Sequence, residues 1–129
     1  MSEAAFIFPT APRADAIRVL NELAESQLDQ WVAAGPIYVW LVDEGSGLYL
    51  DWEPDDVASL ERAVGCRPAW GVQIQYRLSR RQSMVALALS LLRLGGIAVD
   101  DFCNHAWTAE EIEADTLISD GRFGEPPVR

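Results

Sequence analysis

The spacing of apolar residues changes along the chain, and each change marks an element. Ala4–Phe8 is a short apolar run closed by Pro9, which predicts a first strand. Thr10 is placed to cap a following helix, with Pro12 tolerated in its first turn. Ile17, Leu20, Leu23, Leu28 and Trp31 recur near helical spacing, so this helix is expected to run toward the stop at Gly35-Pro36. Ile37–Val42 is a continuous β-branched and aromatic run, the pattern of a strand buried on both faces. Asp43-Glu-Gly-Ser-Gly47 carries hairpin-turn chemistry, and Leu48–Trp52 alternates behind it as the expected partner strand.

Pro54, with Asp55 and Asp56 behind it, suits the first turn of a helix whose apolar stripe is Val57, Leu60 and Val64 and whose stop is Gly65. Trp70–Leu78 is the clearest strand. Val72, Ile74, Tyr76 and Leu78 point one way and Gln73, Gln75 and Arg77 the other, so one face is expected to meet water or a partner. Ser79–Gln82 matches a capping box and opens an apolar helix to Leu94, expected at the centre of the core and ended by Gly95-Gly96. Ile97–Val99 reads as a short strand that Ala106-Trp107 continues or accompanies, and Thr108–Glu111 as a second capping box. The resulting β-α-β-β-α-β-α-β-α order predicts an α+β domain spanning residues 1–129. Its expected form is an antiparallel sheet with helices packed on one face, a ferredoxin-like (split βαβ) variant with extra short helices. Residues 125–129 read as a short extended tail.

Composition changes this picture mainly through charge. The 129 residues hold 20 acidic and 10 basic groups, and every basic one is arginine. Asp43–Glu61 carries seven acids and no base, Arg62–Val99 six arginines and no acid, and Asp100–Glu125 eight acids with Arg122 alone. The balance disfavours nucleic acid and anionic membranes, whose phosphates need clustered cations, and favours a basic protein partner. No apolar run approaches the length of a membrane span, and the N-terminus lacks the basic start of a signal peptide. With Cys66 and Cys103 too few for a disulfide framework, a cytoplasmic protein with reduced cysteines is expected, as monomer or homodimer.

Candidate chemistry is sparse. Asp100, Asp101, Cys103 and His105 include carboxylate, thiol and imidazole groups, the ingredients of a metal site or a metal-dependent enzyme, but their spacing matches no ligand pattern. Adjacent Asp100 and Asp101 in a strand would also point to opposite faces. There is no nucleophile elbow and no phosphate-binding glycine loop, and no cofactor is implied. Arg77, Arg80 and Arg81 cluster at a strand-to-helix junction, where they fit either a phosphate or a salt bridge to the acidic loops; the sequence favours the salt bridge. Trp52 and Trp70 border charged turns and suit an interface.

The stretch Trp70–Ile112 places a polar-faced strand (VQIQYRL) before an apolar helix (SMVALALSLLRL). Gly95-Gly96, a short strand, an Asp-Asp turn and the helix start AWTAEEI follow. This series resembles small acidic bacterial immunity proteins of polymorphic or contact-dependent toxin systems. The resemblance implies a non-enzymatic protein that neutralises a cognate toxin domain by occlusion. Asp43, Glu44, Asp51, Trp52, Glu53, Asp55, Asp56, Asp100 and Asp101 are the expected contact residues. The alternatives are a small ligand-sensing or regulatory module on a ferredoxin-like sheet, and a metal-dependent enzyme using the Asp100–His105 region.

Overall fold

The computed structural model describes residues 2–127. Among them, six strands form one sheet in the order β2-β3-β4-β5-β1-β6, and every neighbouring pair is antiparallel. The strands are β1 (Glu3–Phe8), β2 (Glu25–Gln27), β3 (Gln30–Ala33), β4 (Ile37–Asp43), β5 (Trp70–Tyr76) and β6 (Ile97–Asp100). The helices are α1 (Arg13–Leu23), α2 (Pro54–Val64), α3 (Arg81–Leu92) and α4 (Ala109–Glu113). Among the described residues no helix is long and apolar enough to cross a membrane. The α+β class and the antiparallel sheet are as expected.

Alternation along the strands sorts the sheet into two faces. Ala5, Ile7, Ile37, Val39, Val72, Ile74 and Tyr76 pack against Ala16 and Leu20 of α1, Met84, Leu87, Ala88 and Leu91 of α3, and Ile112 of α4. The opposite face carries Phe8 and Val99 under Leu60 of α2, with Leu48, Phe6 and Trp52 around them. The expectation that all helices share one face is therefore corrected. The helix α2 lies on the other side, because Phe6, Phe8 and Val99 give that face an apolar end to bury.

Three local expectations also change. The first helix stops at Leu23, and Ala24 is extended. Residues 25–33 instead form the β2–β3 hairpin, with Leu28 fully exposed at its tip. Trp31 sits on β3 opposite Val39, and its indole N–H donates to Asn21 Oδ1 (2.8 Å). Helical spacing misled here because Trp31 and Ala33 alternate against the core as strand residues while Leu28 buries nothing. Second, Thr10 does not cap α1; Pro12 stands at that position, and the Thr10 hydroxyl donates to the Leu94 carbonyl instead (3.1 Å).

Third, Leu48–Trp52 is not a strand. Asp43 and Ser46 close a reciprocal capping box over a 3₁₀ turn, Glu44–Ser46, and Gly47 follows in the left-handed region at φ 88°. Successive turns then run from Leu48 to Trp52, with Leu50 N–H bonding Gly47 O and Trp52 N–H bonding Tyr49 O. The partners of β4 are β3 and β5, with Asp43 opposite Trp70 of β5.

Several other helix boundaries follow the sequence. Pro54 begins α2 and Gly65 ends it at φ 91°. Thr108 and Glu111 form the expected capping box at α4, and Ala106-Trp107 contributes one bridge, Ala98 with Trp107. The Ser79–Gln82 box does not form: a 3₁₀ turn, Leu78–Arg80, precedes α3, and no side chain caps that helix. The chain is anchored just before the segment read as a tail, and Glu125 at its start accepts from Arg122 Nε–H (2.6 Å). Gly124 N–H donates to Asp100 Oδ2 (2.7 Å) and Tyr76 OH to Gly124 O (2.6 Å). Residues 128–129 of that segment lie outside the described residues.

Candidate functional site

A cleft of about 280 Å³ opens between the start of α2 and the end of β6. Two separate acidic stretches of the chain meet there: Asp51, Trp52 and Asp56 from one side, Asp101 and Asn104 from the other, with Phe6 of β1 among the lining residues. Local structure explains the meeting. The turns after Gly47 carry Trp52 back over β1, where its ring packs edge-on against Phe6 (5.2 Å), Phe8 (6.0 Å) and Tyr49 (5.2 Å). The Ala4 N–H donates to Asp101 Oδ2 (2.8 Å), fixing the turn after β6 beside the start of β1. Asn104 reaches Ser59 of α2 through its side-chain amide (3.4 Å), which ties the two walls together.

The charge state of this cleft decides what it can do. Arg67 approaches Glu44 (3.6 Å) and Glu61 (3.5 Å), Arg13 approaches Asp43 (3.5 Å), and Arg81 and Arg122 take Asp115 and Glu125. Among the described residues none of Asp51, Glu53, Asp55, Asp56 and Asp101 makes an ion pair, so folding neutralises the acidic blocks only in part. Exposed ion pairs such as Arg13–Asp43 contribute little to stability, whereas an uncompensated group of carboxylates sets up a local field.

The nine expected contact residues therefore fall into groups. Asp51, Trp52, Asp56 and Asp101 line one cleft, and Glu53 and Asp55 are exposed beside it. Asp43 and Glu44 stand apart, paired with Arg13 and Arg67; the Ser46 N–H and hydroxyl hold the Asp43 carboxyl below the usual range. Asp100 lines the same cleft but is also committed to the fold. It is 6% exposed, its carboxylate accepts from the N–H groups of Phe102 (3.1 Å), Cys103 (3.2 Å) and Gly124 (2.7 Å), and burial pushes its pKa up. Phe6 and Asn104 were missed by sequence reasoning, because their place at the cleft depends on contacts across the chain.

The region weighed as a metal site is built differently. His105 Nε2 lies 2.9 Å from Glu111 Oε1, which also accepts the Thr108 N–H of the capping box. The His105 ring stands perpendicular to Trp107 at 5.0 Å. Burial pushes up the pKa of Cys103, away from a reactive thiolate. Among the described residues no group of three or more His, Cys, Asp or Glu is placed to hold a metal ion.

No family model, curated protein or solved structure matches the chain.

Proposed function

We propose that this is a binding protein that offers the Asp51–Asp56–Asp101 cleft to a basic protein partner, in the manner of an immunity protein occluding a toxin domain. The observation that carries the reading is the convergence of two sequence-distant acidic stretches on one open cleft beside Trp52, with no arginine lining it among the described residues. Carboxylates there would steer a cationic surface into contact, and the aromatic groups Trp52 and Phe6 would supply apolar contact once water is displaced. The frame suits this task. The antiparallel order β4-β5-β1-β6 supports reading these strands, with α1 and α3, as a ferredoxin-like split βαβ core. On that reading the β2–β3 hairpin, α2 and α4 are additions, and α2 together with the turn after β6 builds the cleft.

The test is coexpression with the product of the adjacent open reading frame. A stable complex and protection from toxicity are the expected result. The triple variant Asp51→Asn, Asp56→Asn, Asp101→Asn should slow association at least tenfold at low salt, with a smaller effect at high salt. A fully folded protein that neither binds nor protects, or whose triple variant binds with unchanged kinetics, would overturn the proposal.

A further inference from the structure

The three arginines at the junction of β5 and α3 separate in the fold. Arg81 turns inward: it is 8% exposed, its Nε–H donates to the Phe123 carbonyl (2.7 Å), and its guanidinium lies 3.7 Å from Glu125 and 3.8 Å from Asp115. The expected salt bridge therefore holds for Arg81. Arg77 and Arg80 remain exposed, and among the described residues neither makes an ion pair. The Arg80 N–H donates to the Arg77 carbonyl (2.8 Å) across the 3₁₀ turn. Arg77 is the extended residue that precedes this turn and Arg80 its last residue, and both reach the same cleft.

Both arginines line a cleft of about 450 Å³ together with Ser79, Gln75, Tyr38 and Pro36, and among the described residues no acidic one lines it. In a chain with twice as many acids as bases, two neighbouring cations in an acid-free cleft call for an anion from outside. Their combined charge matches a dianion, and the planar fork of arginine matches phosphoryl oxygens. The volume lies in the range of small-molecule sites and exceeds what a bare anion fills. Tyr38, whose ring stacks near Trp40 (6.4 Å), and Pro36 offer apolar surface beside the charges. We propose that this cleft binds a small organic phosphate, with the phosphoryl group between Arg77 and Arg80 near the Ser79 hydroxyl and the organic group against Tyr38 and Pro36.

This site uses no residue of the acidic cleft, so its test is independent of the proposed partner. Titration calorimetry on the full chain at low ionic strength would use phenyl phosphate, inorganic phosphate and phenol as probes. Phenyl phosphate is expected to bind saturably, at least tenfold more tightly than either fragment. Arg77→Ala and Arg80→Ala should each weaken it about tenfold, the loss expected for a charge-assisted contact, while Arg93→Ala, an exposed arginine outside the cleft, should leave it unchanged. Tyr38→Ala should weaken phenyl phosphate and leave inorganic phosphate unaffected. Circular dichroism of each variant confirms that the fold is retained. No saturable binding of phenyl phosphate by the unaltered chain would overturn the proposal. Equal affinity in folded Arg77→Ala and Arg80→Ala variants, or equal affinity for phenyl phosphate and inorganic phosphate, would do so as well.

Discussion

The two faces of the sheet are made from the same strands and meet different fates. In β5, Val72 and Ile74 are fully buried under α1 and α3, while Gln73 and Gln75, which alternate with them, remain partly open on the other side. Their neighbours across the strands repeat the contrast: Val39 is fully buried and Tyr38 exposed. The second face closes only where α2 and the turns from Leu48 to Trp52 cover Phe8 and Val99. Strand pattern thus decides which side chains share a face, and the covering elements decide whether that face becomes core or remains available. The acidic cleft and the arginine cleft both use the less covered face: Phe6 and Val99 contribute to one, Tyr38 and Gln75 to the other.

The sharpest way to break this comparison is to empty a buried position on each face. Ile74→Ala and Phe8→Ala should each cost about 3–4 kcal/mol in chemical denaturation, because both leave a cavity in packed surroundings. A cost below about 1 kcal/mol for Phe8→Ala would show that α2 does not close its end of the sheet. Next comes Asp100→Asn, expected to cost about 1–3 kcal/mol, since an amide cannot accept from Gly124 on one side and from Phe102 and Cys103 on the other.

That cost should depend on pH. Burial raises the Asp100 pKa against the three N–H donors that lower it, so as pH rises the unfolded chain releases this proton before the folded one. The advantage of Asp100 over asparagine is therefore greatest below the ordinary carboxyl value of 3.8 and declines as pH rises through the folded-state pKa. Denaturation of both proteins across pH 3–7 checks the sign, and an advantage that grows with pH would contradict it. Smaller still, Thr108→Ala should cost about 1 kcal/mol by removing the capping box of α4, read as a lower thermal midpoint. Smallest is Gln75→Ala on the open face, expected within about 0.5 kcal/mol of the unaltered chain.

Much of the frame was legible because its signals are local. The alternation of Val72, Gln73, Ile74, Gln75 and Tyr76 marks β5 and its two faces, Pro54 and Gly65 bracket α2, and Thr108 with Glu111 makes the capping box of α4 within four residues. Reading failed where two local preferences competed. Residues 24–33 satisfy a helical period in their large side chains, yet Trp31 gains more from the sheet opposite Val39 and from Asn21 than from one more helical turn. Leu48–Trp52 alternates as a strand would, but the Asp43–Ser46 capping box and Gly47 turn the backbone into a series of tight turns. The candidate site was half legible: Asp51, Trp52, Asp56 and Asp101 were named by charge and position, but not as neighbours.

The sequence by itself determined the α+β class, the positions of the long strands, the central apolar helix and the segregation of charge into two acidic blocks around six arginines. Those features follow from periodicity, turn chemistry and composition, which act over a few residues. Only the tertiary structure decided that α2 lies on the opposite face, that Asp100 is buried at the cleft while Asp101 is exposed there, and that Arg81 is neutralised while Arg77 and Arg80 are not. These outcomes depend on which side chains meet across the sheet. A charge in sequence becomes a surface, a salt bridge or a buried anchor only when folding supplies its neighbours.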